Sequence, residues 1–388
     1  MPPLNERLPH RTFGYEPALD GLRGIAVTLV VAFHAFGIPR DGFLGVDLFF
    51  VLSGFLITSL LLGERASRGR ISLSRFYVRR ALRLLPALLV FLAVSLVVHI
   101  IVAGARHELA LAVVLDQLRD SAIAAFYVSN FVLAGNGIDA LPTGLSHLWS
   151  LAAEEQFYLL WPALLVCGLA RHRRWAGIAL MAAIAFVALR QFQLVLSGVP
   201  GHRLDFGPDT RSGSILVGCL FAVLRANESG ARRVARIARV GLPLALVLSY
   251  AIVVADLGRT LYLGPLTLFA FCAGMVIVAV LDERCALRRW LSQRPLVYLG
   301  RLSYSLYLWH MPIFAALGVA LVGAHGAAGA PRATAAVAAS LVVAALSYHF
   351  VETPFLRRKR QRQTPDLATH RARPTPMPNP RAATEAVT

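Results

Sequence analysis

Charged side chains are scarce in this 388-residue sequence: they make up 15% of it, whereas hydrophobic residues make up 57%. A soluble domain usually has about a quarter charged residues and about half apolar ones. This imbalance excludes a disordered chain and indicates a protein embedded in lipid. Cysteine is also scarce, and the four cysteines show no Cys-x-x-Cys spacing. The sequence therefore indicates neither a disulfide framework nor a zinc site, and we expect no bound metal.

Acidic residues are the scarcer charge, with 21 Asp and Glu against 39 Lys and Arg, which gives a net charge of +18. Such an excess is typical of proteins that meet nucleic acid or a membrane surface. The basic residues cluster between apolar runs, as at Arg79-Arg80, Arg171–Arg174 and Arg357–Arg360. Short cytoplasmic loops of membrane proteins have this pattern. We therefore expect the lipid bilayer, and no nucleic acid, as a partner.

Ten apolar runs are long enough to cross a bilayer, which takes about 20 residues. They lie near 20–37, 43–62, 84–104, 147–170, 175–196, 210–226, 238–256, 260–281, 303–323 and 332–351. Another run, near 109–134, is interrupted by Asp116, Arg119 and Asp120. The basic loops share one side only if this run does not cross. We predict an all-α transmembrane bundle of about ten spans, a non-spanning or re-entrant segment near 109–134, and cytoplasmic termini. The alternative, eleven spans, places Arg171–Arg174 outside.

Composition divides the chain into a cytoplasmic N-terminal segment, a membrane domain and a disordered basic tail: 1–16, 17–355 and 356–388. The N-terminus lacks the apolar core and cleavage site of a signal peptide. Within the membrane domain, 71–83 is predicted to form an amphipathic cytoplasmic helix that ends before Pro86. The glycines of Gly42–Gly54 indicate close packing against the first span. No stretch is long enough for a separate soluble catalytic domain, so we expect the chemistry inside the bundle.

Ionisable residues inside the spans are candidates for function, because a charge in lipid is costly. Arg23 and His34 are eleven residues apart, about three helical turns, so they share one stripe. Imidazole suits a general base near neutral pH. Glu154 lies seven residues, about 10 Å, beyond His147, and Arg211 begins the sixth span. We predict an outer layer of His34, Glu154 and Arg211, with Glu154 orienting the imidazole. The alternatives are a helix–helix contact for His34 and a structural Glu154–Arg211 pair.

A second group of polar residues is predicted to face the cytoplasm and comprises His310, His349, Glu352, Arg80 and Arg83. Guanidinium groups bind phosphate oxygens in a bidentate way, so this layer could hold a phosphorylated donor. The alternative for each arginine is contact with anionic lipid head groups.

An ordered series of motifs resembles the acyltransferase-3 family of bacterial integral-membrane O-acyltransferases. The motifs are Leu19–Val27 with Phe33-His34-Ala35, Gly42–Asp47 with Phe49–Ile57, Arg79–Pro86, Leu148–Pro162, Leu299–His310 and Glu352–Pro354. The resemblance covers about Pro17 to Phe355. It implies a ten-helix bundle in the bacterial inner membrane, with no bound cofactor and with acyl-CoA as co-substrate. The bundle would transfer an acyl group, most simply acetyl, from cytoplasmic acyl-CoA to a hydroxyl of a surface glycan or small molecule.

The resemblance also implies roles for individual residues. By position, the family's functional histidine, arginines and carboxylate correspond to His34, Arg23, Arg80, Arg83 and either Glu154 or Glu155. Tyr304 and His310 would join the two later arginines at the donor. Supporting roles would fall to Asp20, Asp47, Ser53, Trp149, Glu155 and Glu352.

The chain departs from the family pattern at two motifs. Arg211-Ser212-Gly213 stands where relatives often have Arg-x-Asp, which puts a carboxylate role there in doubt. Glu352-Thr353-Pro354 replaces a usual Glu-Arg-Pro and so lacks a cation. We also expect the stand-alone form of the family, without a C-terminal SGNH-type domain.

Acyl transfer is the function that these residues favour. His34 would act as the general base on the acceptor hydroxyl or would carry the acyl group itself. Arg23 and Arg211 are the candidate donors to the oxyanion of the tetrahedral intermediate. The alternative is a proton-coupled transporter or efflux protein, which would use the same intramembrane residue types. Many transporters contain repeated halves, and the motifs before and after residue 200 do not correspond.

Overall fold

A computed structural model describes residues 14–108, 110–169, 172–319 and 329–361. This part of the chain is mostly α-helical and contains no β-strand. The first eight helices are α1 (Pro17–Phe36), α2 (Gly45–Arg68), α3 (Leu73–Ala105), α4 (Leu111–Ala125), α5 (Ser129–Asn136), α6 (Thr143–Ser146), α7 (Trp149–Leu164) and α8 (Arg173–Leu196). The next eight are α9 (Gly201–Phe206), α10 (Pro208–Leu224), α11 (Glu228–Val254), α12 (Pro265–Ala279), α13 (Ala286–Leu291), α14 (Arg294–Ala316), α15 (Ala330–Leu346) and α16 (Thr353–Gln361). The predicted all-α fold is confirmed.

Each of the ten predicted apolar runs contains a helix, namely α1, α2, α3, α7, α8, α10, α11, α12, α14 and α15. In the part of the chain that the structure describes, six helical segments are long and apolar enough to cross a membrane by themselves: Pro17–Phe36, Gly42–Arg68, Leu73–Ala105, Arg174–Leu196, Glu228–Val254 and Ala330–Arg357. α12 is a shorter apolar helix. The chain is therefore a multi-pass membrane protein.

α3 differs from its prediction, because it is one helix of 33 residues that passes through Pro86. The separate helix predicted over 71–83 is wrong. A proline lacks an N–H group and crowds the carbonyl four residues earlier, but helices in membranes tolerate it where neighbouring helices support the backbone. α14 packs against α3 near this proline, where the Tyr304 hydroxyl donates to the Leu84 carbonyl at 3.0 Å. The continuous helix fixes its arginines relative to the bundle.

The segment near 109–134 contains two short helices, α4 and α5. α4 has 15 residues, and three of them are charged. Charged side chains are costly in lipid, which agrees with the non-spanning segment that the sequence predicts here. Gln156, in the body of α7, donates to the Tyr127 carbonyl at 2.7 Å and to the Asn130 side chain at 2.8 Å. The junction between α4 and α5 therefore lies against α7.

α1 and α14 pack side by side with their backbones in close contact. A Cβ atom on Gly24 would collide with the Leu296 carbonyl, and one on Gly300 would collide with the Asp20 carbonyl. Glycine is needed where two helix backbones approach this closely. The contact aligns the beginning of α1 with the beginning of α14.

The glycines around the start of α2 pack against two different helices. Gly45 faces the Ala26 carbonyl of α1, which confirms the packing predicted against the first span. Gly54 faces the Ile215 carbonyl of α10 instead. One helix therefore joins α1 to α10 through small residues on different faces.

The predicted terminal segments lie mostly outside the described residues, since the structure describes neither 1–13 nor 362–388. α16 extends to Gln361, so it includes the first residues of the predicted tail. Pro354 sits in the first turn of α16, where a missing N–H is tolerated. The Arg and Lys residues after it favour helix.

Candidate active site

A cavity of about 70 Å³ lies where α1, α2, α3, α7 and α14 meet. Its polar lining residues are Arg23, Ser53, Arg80, Arg83, Ser150, Glu154, Tyr158, Ser303, Tyr304 and Tyr307. Six of these were candidates from the sequence: Arg23, Ser53, Arg80, Arg83, Glu154 and Tyr304. The fold thus brings residues from motifs almost 300 positions apart to one cavity.

Two carboxylates of α7 surround the Arg80 guanidinium. Arg80 binds Glu155 through Nη2 at 2.9 Å and lies 3.9 Å from a Glu154 oxygen. Its guanidinium also stacks 3.5 Å from the centre of the Tyr158 ring. Glu154 lines the cavity, where it accepts hydrogen bonds from the Ser53 and Tyr158 hydroxyls. Arg80 is therefore compensated by the protein itself, and Glu154 is the carboxylate that faces the cavity.

Arg23 and Arg83 are the less compensated cations of the cavity. Arg23 donates to the Ser303 hydroxyl at 3.0 Å, and Arg83 lines the same space. Within the described chain, neither guanidinium has a carboxylate oxygen within the 4.0 Å of an ion pair. The buried Glu352 interacts with both only at longer range. This wall of the cavity would stabilise an anion.

Three histidines lie together next to the cavity. The His310 ring centre is 5.3 Å from that of His34 and 5.3 Å from that of His147. We call these three residues the histidine cluster. Tyr307 separates the cluster from the cavity: its ring lies 5.3 Å from His147, and its hydroxyl contacts the Ser150 hydroxyl at 2.7 Å. Within the described residues, no group of three or more His, Cys, Asp or Glu is arranged to hold a metal ion.

His310 is placed differently from the prediction, which grouped it with Arg80 and Arg83 near the cytoplasm. It lies beside His34 instead. The reason is the start of α14: the helix begins at Arg294, nine residues before the apolar run, so His310 falls near its end. Hydropathy marked only the apolar part of this helix.

Glu154 also differs from its predicted position beside His34, since its recorded partners are Ser53, Tyr158 and Arg80. His34 lies in the last turn of α1. The residue at the same depth beside α7 is His147, which lies two residues before that helix begins. Glu154 lies seven residues, about 10 Å, further along. Sequence reasoning missed His147 as a site residue, although its position at the start of a span was a usable signal.

Arg211 forms a buried pair with Asp47 and does not line the cavity. Its Nη2 lies 2.7 Å from the Asp47 carboxylate, which also accepts from the Ser214 hydroxyl at 2.8 Å. The guanidinium carbon is 5.2 Å from the centre of the Trp149 ring. The predicted layer of His34, Glu154 and Arg211 is therefore not formed. The motif Arg211-Ser212-Gly213 lacks a carboxylate, and Asp47 of α2 supplies one to Arg211 instead.

Two further candidates lie at the surface. Asp20 accepts from the Tyr15 hydroxyl at 2.9 Å and lies 3.9 Å from Arg301. His349 is exposed and contacts the Tyr298 hydroxyl at 3.2 Å. Neither Asp20 nor His349 lines the cavity.

A larger cavity of about 380 Å³ lies between α7, α8 and α10. Its lining is almost wholly apolar, with Phe157, Leu160, Trp161 and Leu180 among the largest side chains, and contains no ionisable group. It offers no acid–base chemistry, so the smaller polar cavity is the candidate active site.

Comparison with known proteins identifies the family to which the chain is similar. The family model described as an acyltransferase domain, Acyl_transf_3, matches residues 16–349. The peptidoglycan O-acetyltransferase OatA of Listeria monocytogenes is 35% identical over 360 residues, which cover 88% of this chain and 56% of that protein. The O-acetyltransferase OatA of Staphylococcus aureus is 33% identical over 353 residues, covering 88% and 57%. The chain thus spans somewhat more than half the length of these relatives. No solved structure matches it.

Proposed function

The chain belongs to the acyltransferase-3 family, and on that premise we propose that it transfers an acetyl group from cytoplasmic acetyl-CoA to a hydroxyl of cell-wall peptidoglycan. The names of the relatives support this acceptor class. We further propose that the protein lies in the inner membrane with both termini in the cytoplasm, because its basic loops would then all face inward.

The observation that carries the proposal is the pair of guanidiniums, Arg23 and Arg83, that line one cavity and that have no ion-paired carboxylate among the described residues. Charges that are partly removed from water require compensation, and guanidinium groups bind phosphate oxygens bidentately. The phosphates of an acyl-CoA would supply that charge. The cavity of about 70 Å³ is smaller than the roughly 300–1,000 Å³ of a ligand pocket. It would therefore hold only part of the donor.

The proposed reaction is a direct transfer. The acceptor hydroxyl oxygen attacks the thioester carbonyl carbon, a C–O bond forms and the C–S bond breaks. His34 takes the hydroxyl proton and returns it to the departing CoA thiolate, which leaves as the thiol. Arg23 would stabilise the oxyanion or hold the donor. Tyr307 lies between the cavity that Arg23 lines and the histidine cluster.

The test measures transfer of radiolabelled acetyl groups from acetyl-CoA to soluble peptidoglycan strands by the purified protein. Arg83→Gln should raise the KM for acetyl-CoA about 10- to 100-fold, as loss of a hydrogen bond to a charged group predicts. Arg79→Gln is the matched control on the same helix, because Arg79 pairs with Glu64 at 3.7 Å outside the cavity. Its KM should stay near the wild-type value.

Two results would contradict the proposal. A wild-type protein that transfers no label to the strands removes the proposed function. Transfer at the wild-type rate by His34→Ala removes the assignment of His34 as the base.

A further inference from the structure

The histidine cluster contains two buried ring nitrogens without a hydrogen-bond partner among the described residues: His147 Nδ1 and His310 Nε2. The residues that carry them are 4% and 0% exposed. An unsatisfied buried polar atom is costly, and each one in a native protein needs an explanation. Two of them in one cluster indicate a site for a ligand.

The other nitrogens of His147 and His310 are held by backbone carbonyls. His310 Nδ1 lies 2.7 Å from the Tyr307 carbonyl oxygen and 3.2 Å from that of Leu306. His147 Nε2 lies 3.2 Å from the Leu308 carbonyl oxygen. Carbonyl oxygens only accept hydrogen bonds, so these two ring nitrogens must carry the proton.

This fixes the chemistry of the two remaining nitrogens. In the neutral rings, His310 Nε2 and His147 Nδ1 have only a lone pair, so each can bind a donor and neither can bind an acceptor. Nearby hydroxyls are already engaged, since Tyr307 donates to the His147 carbonyl at 2.6 Å. The group that satisfies both nitrogens must bring its own O–H or N–H groups.

We propose that His147 and His310 form a hydroxyl-binding subsite for the acceptor glycan, next to the base His34. Two hydroxyls of the sugar that do not react donate to His310 Nε2 and His147 Nδ1. The reacting hydroxyl then keeps its proton for His34, whose ring lies 5.3 Å from that of His310. This inference rests on the proposed function, and it makes His147 and His310 residues that position the acceptor.

Asparagine and glutamine separate this role from a structural one. The amide of asparagine is attached to Cγ, as Nδ1 of histidine is, whereas the amide of glutamine reaches the position of Nε2. His310→Asn therefore keeps the carbonyl contact and removes the free acceptor, whereas His310→Gln restores an acceptor at Nε2. The pattern is reversed for His147, where His147→Gln removes the free acceptor and His147→Asn restores it.

The experiment measures acetyl transfer to soluble peptidoglycan strands by the four variants. His310→Asn and His147→Gln should raise the KM for the strands about tenfold, the value of one hydrogen bond. The KM for acetyl-CoA should not change. His310→Gln and His147→Asn should keep a strand KM close to that of the wild type. A purely structural role predicts the opposite result. His310→Gln and His147→Asn, which lose the carbonyl contacts, should then have the larger effect on the KM for the strands.

Calorimetric titration of the same variants with the strands, without acetyl-CoA, distinguishes this inference from the proposed function. A wild type that binds strands but transfers no acetyl group would contradict the function only, and the variants would still report on the subsite by their Kd. The inference is overturned if the wild type binds no strands. It is also overturned if His310→Asn and His147→Gln bind them as tightly as the wild type does.

Discussion

Replacing Arg211 by methionine should destabilise the protein by about 3–5 kcal/mol, the usual cost of breaking a buried ion pair. The side chains of Arg211 and Asp47 are 1% and 0% exposed, and their charged atoms lie 2.7 Å apart. After the substitution, the Asp47 carboxylate keeps only the Ser214 hydroxyl at 2.8 Å. One neutral hydrogen bond does not compensate a buried negative charge.

The assay is the midpoint of thermal unfolding in detergent. The single variant Arg211→Met should unfold well below the wild type. The double variant with Asp47→Leu should recover most of the loss, because apolar replacement of a buried ion pair is often neutral or stabilising. Arg232→Met is the control: its pair with Glu228 is 75% and 69% exposed, and such a pair is worth less than about 1 kcal/mol.

Two outcomes would refute the reasoning. If Arg211→Met unfolds at the wild-type midpoint but transfers no acetyl groups, Arg211 acts in the reaction, as the sequence analysis had proposed. If the double variant is as unstable as the single one, the buried charge of Asp47 is not the cause of the loss.

Two further predictions concern the packing of the helices. Gly54→Ala should lower the unfolding midpoint, because its new methyl group meets the Ile215 carbonyl, whereas Gly63→Ala on the same helix has open space and should not; equal midpoints for the two variants would contradict this. Gln156→Ala should speed hydrogen exchange around Tyr127, since it removes the bond that holds the junction of α4 and α5 to α7; unchanged exchange there would show that other contacts hold the junction.

The membrane architecture could be predicted from the sequence because hydropathy is a local property. Each apolar run contains a helix, and the distribution of the basic loops favoured a non-crossing segment near 109–134. The limits of the helices were less predictable. α3 continues through Pro86, although a proline inside a local pattern usually ends or kinks a helix.

The site could be predicted only in part, because a pairing between helices depends on where each helix begins. The polar start of α14 displaced His310 by several turns from its expected depth. The same error in depth placed Glu154 beside His34 in the prediction, whereas the structure has His147 in the histidine cluster. The carboxylate partner of Arg211 comes from another helix, and no spacing within the chain points to Asp47.

The α4–α5 segment determines the parity of every later crossing. α1 and α14 run in the same direction, since Arg23 contacts Ser303 and, further along both helices, His34 contacts His310. This requires an even number of reversals between them, as in a first and a ninth crossing. If the α4–α5 segment crossed the membrane, α14 would be the tenth crossing and would run the opposite way. With Ser303 beside Arg23, His310 would then lie far from His34. The α4–α5 segment supplies no ionisable group to the cavity, but it keeps the two ends of the site aligned.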